Sequence, residues 1–561
     1  MAGGLLNLTS VGQQNIMLNG NPSKSFWKST YAKYTNFGKQ NFRLDYEGTP
    51  TLNLTSSSTF VFKVKRYADL LMDCYLSIDL PNIWSPILPP REVVNPDSTI
   101  SYTDWAPYEF KWIDNIGAQM ISKITITCGN QKIQEFSGQY LLSNVQRDFS
   151  AVKRDLFNKM IGNIDELKDP GNSGSYVNSY PNATHTDNPA GAQPSIAGRK
   201  LCVPLNSWFN MKSQMAFPLV SLQYNELTIT ITIRPINEMF RIRDVFDYNN
   251  NFPYIAPNFN QYYQQMHRFL QTPPDEELGI RSYVDTRNVW NPDINLNCTY
   301  TFLSNDESEV FAKNEQRYLF NQIYEKTFYN VTGSNKIKLE SLGMVSSWMF
   351  YFRRSDVNLR NEWGNYTNWP YDYMPVPAYA ASTNGDYPNP NTSSNVASHI
   401  GPGLNPDGTL SGLIITGDYN PQNIKPILVA LGILVDGEYR ENKLPVEVFN
   451  FVEKYLRTGG DAPDGLYCYN FTLDTSPFNL QPSGAMNMSR FTNVEFEFTT
   501  ISPPFDPYAQ VLTICDDSGE VIGINKPTWR VFDYNFDLFV FEERLNMVTF
   551  VGGNAALMYA T

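Results

Sequence analysis

The sequence predicts an all-β protein assembled as a duplicated sandwich, and three observations carry that reading. The first is period-two alternation of apolar and small polar residues, recurring in short runs along the chain. The second is composition: 34 Gly and 37 Pro punctuate a chain that also holds 34 Tyr and 35 Phe, which suits many short strands joined by turns. The third is an internal echo. Leu205–Asn210 (LNSWFN) and Leu473–Asn479 (LDTSPFN) each end in Phe-Asn and lead through a polar connection into an alternating strand, at Leu227 and Val494. Two copies of one β unit explain the echo economically. The 561 residues allow this, since one domain takes roughly 100–200 residues. The boundary between copies is expected near Pro235–Pro257, where strand character stops.

In chain order, Thr59–Lys65, Ile121–Cys128, Leu227–Ile233, Val494–Thr500 and Val531–Phe541 alternate as strands with one buried face. Met349–Arg353 and Ile427–Asp436 are apolar throughout and read as strands buried on both faces. Two helices are expected. Gln139–Ile161 carries Leu142, Val145, Phe149, Val152, Leu156 and Met160 at steps of three and four, forming one apolar stripe. Val446–Leu456 is shorter and ends at Gly459-Gly460, where a glycine can take the left-handed cap. Long polar stretches at Pro81–Pro107, Asp165–Gly198 and Ser355–Gly412 read as surface insertions between strands.

Charge and motifs exclude several functions. Lys plus Arg total 43 against 56 Asp plus Glu, a formal charge of −13. Phosphate-backbone binding rests on Lys and Arg, so no direct nucleic-acid partner is expected. Six scattered cysteines form no CxxC pair and read as buried free thiols. The N-terminus lacks the basic and continuous apolar regions of a signal peptide, and no apolar run approaches the roughly 20 residues of a membrane span. A soluble chain made without secretion is expected. His185, His267 and His399 show no HxH or HxxxH spacing, so neither a nucleophilic triad nor a histidine metal site is expected. Gly401–Gly408 reads as a turn rather than a phosphate loop. The acid pairs Asp516-Asp517 and Glu542-Glu543 alternate faces if they lie on strands, and Asp461–Asp464 lacks the ligand order of a calcium loop. Among the N-x-[ST] triplets, those at Asn182, Asn365 and Asn391 fall in the long loops and are the glycosylation candidates. No catalytic, cofactor-binding or metal-binding residues emerge.

Four segments complete the reading. Gly20-Asn21-Pro22 and Ser25-Phe26-Trp27-Lys28 lead into Tyr31–Phe37 (YAKYTNF); Phe217–Leu227 reads FPLVSLQYNEL; Gln481–Gly484 (QPSG) precedes Asn487–Arg490 (NMSR); and Leu545–Val548 precedes Gly552-Gly553 and Tyr559-Ala560. Together they resemble the double jelly-roll major capsid proteins of large nucleocytoplasmic DNA viruses, in the family's order and across nearly the whole chain. The resemblance implies two consecutive eight-stranded antiparallel jelly rolls, with long loop insertions and a few short helices. It divides the chain into an interior-facing segment 1–25, jelly roll 1 at 26–240, a linker at 241–256 and jelly roll 2 at 257–561. It further implies a homotrimeric, pseudo-hexagonal capsomer tiling the facets of an icosahedral virion, assembled in the host cytoplasm. The partners implied are neighbouring capsomers, minor capsid or cement proteins and an inner membrane layer; no cofactor is implied. The rival readings are a carbohydrate-binding attachment protein, which would bind sugars through its outer loops, and a β-sandwich glycoside hydrolase, which would need two convergent acids in a cleft.

Overall fold

A computed structural model describes Met17 and residues 20–559, except for stretches lying within 86–108, 177–191, 245–252, 274–282, 372–423 and 504–527. Its strands form two units of the same plan. In the first, β1 (Phe37–Leu44), β2 (Ser58–Val64), β3 (Leu70–Leu80), β4 (Ile121–Cys128), β5 (Gln131–Phe136), β6 (Arg199–Pro204), β7 (Leu227–Ile233) and β8 (Asn295–Leu303) make two sheets. Their orders are β1-β8-β3-β6, with Phe217–Pro218 added on β3, and β5-β4-β7-β2. In the second unit the strands are β9 (Gln316–Phe328), β10 (Ser334–Leu339), β11 (Met344–Arg354), β12 (Leu428–Val435), β13 (Glu438–Pro445), β14 (Leu466–Asn470), β15 (Val494–Thr500) and β16 (Phe536–Val551). They pair as β9-β16-β11-β14 and β10-β15-β12-β13. The connectivity is the same, strand for strand, and it is that of a jelly roll. The internal echo sits at equivalent places, after β6 and after β14.

Alternation builds these sheets. Ile229, Ile231 and Ile233 of β7 are fully buried, while Thr228, Thr230 and Thr232 are half-buried on the other face. β15 does the same with Phe496 and Phe498; its Glu495 and Glu497 pair outward with Lys336 (2.9 Å) and Lys443 (2.6 Å). β11 reads as apolar throughout because both of its faces are covered. Trp348, Phe350 and Phe352 enter the second unit's core, and Met349 and Tyr351 join the core that the first unit extends across the seam.

The structure corrects four expectations. Asn295–Leu303, assigned to jelly roll 2, pairs along both β1 and β3, so pairing passes to the second unit only after Leu303. The expected helix Gln139–Ile161 is two helices, α1 (Gly138–Asp148) and α2 (Ala151–Met160). The chain turns extended at Phe149 (ψ 143°), and Ser150 starts the new helix, also extended. Gly459 and Gly460 do not cap a helix in the left-handed region. A Cβ on Gly460 would lie 2.5 Å from the Gln146 carbonyl, so glycine is required there by the close approach of α1. The helical turn before it is a π turn, Val448–Val452, continued as an α-helix over Glu453–Arg457. Gly401–Leu404, read as part of a turn, pairs with Leu410–Ile415 as a hairpin strand.

Candidate functional site

The most constructed place in the molecule is the seam between the two units. α1 presents Tyr140, Arg147 and Asp148 to β11 and β16. Ser137 starts the helix by accepting the Tyr140 amide (3.1 Å), and its own amide donates to Glu325 of β9 (2.7 Å). Arg147, 0% exposed, donates from Nη2 to Asp148 (2.7 Å) and to Glu543 of β16 (2.9 Å), and from Nη1 to the Ser347 hydroxyl of β11 (3.0 Å). Tyr140 and Ser347 also donate to Glu543, at 2.6 and 2.5 Å, and Thr475 donates to Asp148 at 2.5 Å. One guanidinium thus serves two buried carboxylates. Burial is the largest influence on Asp148 and pushes its carboxyl up to about 6, against the pull of Arg147. Burial likewise raises the nearby Cys468 thiol to about 11. Such a cluster fixes register between units, because its partners are satisfied in one arrangement only.

Beside the cluster a cavity of about 110 Å³ is lined from both units, by Tyr140, Trp208, Phe320, Thr475 and Leu480 among others. Both copies of the echoed segment reach it, Leu205 and Trp208 from one and Asp474, Pro477 and Asn479 from the other.

A second buried cluster closes the end of β11, where the longest insertion begins. Asp356 is gripped by Arg354 (2.8 Å) and Arg360 (3.0 Å). The arginines also donate to the carbonyls of Asn368 (2.8 Å) and Pro370 (2.7 Å). Burial alone would raise the Asp356 carboxyl; Arg360 and Arg354 together hold it well below the usual carboxylate range.

The sequence candidates fall elsewhere. Asn365 is 1% exposed, its Nδ2 donating to the Trp369 carbonyl (2.9 Å) and its Oδ1 accepting from the Thr367 amide (3.0 Å); it has no room for a glycan in the folded chain. Asn182 and Asn391, with His185 and His399, lie outside the described residues. His267 is buried against Asn288, and burial lowers its pKa. Glu542 and Glu543 do alternate faces: Glu542 accepts from Trp348 Nε1 (2.7 Å) and Ser341 (2.5 Å), away from the Glu543 partners. Among the described residues no group of three or more His, Cys, Asp or Glu could hold a metal ion. Cys74 and Cys298 face each other across β3 and β8 with Sγ atoms 3.3 Å apart, both buried.

What the outside offers is apolar surface. The stripe expected on one helix is buried on α1 at Leu142 and Val145 but open on α2, where Val152 (73%), Leu156 (50%) and Met160 (38%) are exposed. Phe451, Val452, Tyr455 and Leu456 are exposed on the π turn and the helix after it. Arg154 of α2 donates to the Asp461 carbonyl (2.7 Å) just beyond that helix, which ties α2 to the segment that follows it. This arrangement orients and joins surfaces.

Comparisons with known proteins agree with that character. The family profile for the major capsid protein N-terminus matches residues 25–266, and that for the large eukaryotic DNA virus major capsid protein matches residues 307–555. The major capsid protein of Phaeocystis pouchetii virus is 25% identical over 96% of this chain and 97% of its own length. That of Paramecium bursaria Chlorella virus 1 is 23% identical over the whole of both. Among solved structures, the PBCV-1 VP54 crystal structure fitted into a reconstruction of the virophage Sputnik superposes with a TM-score of 0.57 at 18% identity, covering 96% of this chain and 100% of that one. The Faustovirus major capsid protein gives 0.56 at 12% identity, with 98% of each chain covered.

Proposed function

Given that the chain belongs to the major capsid protein family of large eukaryotic DNA viruses, we propose that three copies form a pseudo-hexagonal capsomer, and that capsomers tile the facets of an icosahedral shell. The observation that supports this best is the protomer's shape. Two units of identical connectivity stand side by side, locked by the Arg147 cluster, so one chain supplies two lobes and three chains supply six. The role is structural: the chain is a component of the virion capsid, like its relatives.

A trimer closes through three identical head-to-tail contacts between two different patches, each burying apolar area, and the exposed faces of α2 and Val448–Arg457 supply such area. Contacts between trimers are smaller and more polar, so that misplaced capsomers can leave. Minor capsid or cement proteins bridge capsomers, an inner membrane layer lies beneath, and assembly takes place in the host cytoplasm. The unit division follows the pairing, with 37–303 and 316–551 as the two lobes.

Light scattering on the purified chain at moderate and high salt tests the trimer. The expected species is three chains of 64.0 kDa, about 192 kDa, at both salt concentrations. A trimer that falls apart at moderate salt, or a strict monomer, contradicts the reading.

A further inference from the structure

Residues 20–36 precede β1 and are exposed at every position. Phe26 (87%), Trp27 (97%), Tyr31 (93%) and Tyr34 (86%) stand in water, and Phe37 at the root is 58% exposed. Large aromatics so displayed in one contiguous segment mark a contact surface. The segment is also charged against the rest of the chain. The first 44 residues hold five Lys or Arg and no Asp or Glu, whereas the remainder holds 38 Lys or Arg against 56 Asp or Glu.

Strand register shows where the segment leaves the body. Phe37 pairs with Leu303, and helix α3 (Asn305–Lys313) follows at the same end, bearing Asp306, Glu307 and Glu309 and burying none of its residues. β3 runs away from this end, since Leu70 pairs with Thr301 and Ser77 with Asn295. β11 also runs away from the end where β9 begins: Gln316 pairs with Phe550 and Phe328 with Leu538, and β11 finishes with Arg354 opposite Phe536. The long stretches that follow β3 and β11 therefore leave from the opposite end. In any layer of like-oriented copies, the basic segment of one chain lies level with the α3 end of the next.

We propose that residues 21–36 are an exchange arm that docks through its aromatic and lysine side chains on the acidic surface of a neighbouring copy, at the α3 end. The inference rests on the shell-forming reading above and names a contact within it. The dimensions fit. Sixteen extended residues reach about 50 Å, enough to cross to a neighbour. Aromatic side chains bury roughly 150–250 Å² each, so four of them approach the roughly 800 Å² per partner of a stable interface. Among the described residues β1, which the arm enters, is an edge strand with one side unpaired, so arm and edge are covered together.

The test uses the full chain, assembled and then dissociated by dilution. Trypsin should cut at Lys24, Lys28 and Lys33 at least tenfold more slowly in the assembled state. With a photo-reactive phenylalanine replacing Trp27 in a mixture of light and heavy-isotope chains, cross-links should join light to heavy copies at 304–315. The triple variant Trp27→Ser, Tyr31→Ser, Tyr34→Ser should restore fast cleavage and weaken association at least tenfold, with the melting of the dissociated chain unchanged. Equal cleavage in both states, cross-links within single chains, or protection only on adding vesicles of phosphatidylcholine with phosphatidylserine would each overturn the arm. A stable oligomer with a freely cut arm overturns this contact alone; a strict monomer overturns it together with the trimer.

Discussion

The two buried arginine–aspartate clusters use the same groups in opposite proportion. At the seam, Arg147 stands between Asp148 and Glu543; at the end of β11, Asp356 stands between Arg354 and Arg360. The seam is short of positive charge and the other cluster is short of negative charge. Burial pushes both carboxyls up; against it, the single shared Arg147 leaves Asp148 raised to about 6, while Arg360 and Arg354 together hold Asp356 well below its ordinary range. The stoichiometry of a buried cluster, more than the closeness of its contacts, sets how it answers to pH and which of its members is expensive to lose.

The largest effects should follow the minority charge. Arg147→Met leaves two carboxylates buried together, and Asp356→Asn leaves two guanidiniums; each should lower unfolding stability by about 3–5 kcal/mol, read from urea midpoints. Losing a majority member should cost less. Asp148→Asn or Arg354→Met removes charge-assisted hydrogen bonds and leaves a balanced pair, at about 1.5–3 kcal/mol. If Arg354→Met proves as damaging as Arg147→Met, the proportion argument fails.

Next comes pH. The Asp148 carboxyl is raised above its unfolded value near 3.9, so the folded chain holds that proton more tightly. The stability it contributes is full below about pH 4 and is lost as pH rises through about 6. Asp356 has the opposite sign: its contribution is present above about pH 4 and is lost as pH falls through its depressed value. Stability of the wild type minus that of Asp148→Asn, measured from pH 4 to 7, should fall with pH, whereas the same difference for Asp356→Asn should not. Matching slopes would remove the distinction.

The smallest effect is expected on α2, and α1 sets the contrast. Leu142→Ala should destabilise the monomer by about 2–5 kcal/mol, but Leu156→Ala by no more than about 0.5 kcal/mol, with its effect appearing in oligomer dissociation. Denaturant midpoints of the dissociated chain check both.

These helices also show what a sequence can reveal. Steps of three and four marked Leu142 to Met160 as one stripe, yet periodicity states which residues share a face and is silent about what covers it. The chain covers α1 and leaves α2 open. Ile121–Cys128, Leu227–Ile233 and Val494–Thr500 were legible to the residue because one face of each is buried and the other half-exposed. Gln316–Phe328 was not, since its pattern mixes buried, partial and exposed positions without a clean period. Asn295–Leu303 belongs to the first unit through pairing with residues more than 200 positions earlier, which no local pattern encodes. The Arg147 cluster was invisible for the same reason: Glu543 lies 396 residues away, and one arginine on an amphipathic helix looks like solvated charge. The echoed Phe-Asn segments were the exception, a long-range relation written twice in the sequence, and both copies line the seam cavity.

The central claim is that a two-lobed chain makes a six-lobed trimer. Electron-microscopic class averages of the purified species test it most directly. The account requires threefold particles with six peripheral densities of similar size. Two-lobed single chains at working concentration, or closed rings of any other symmetry, would contradict it.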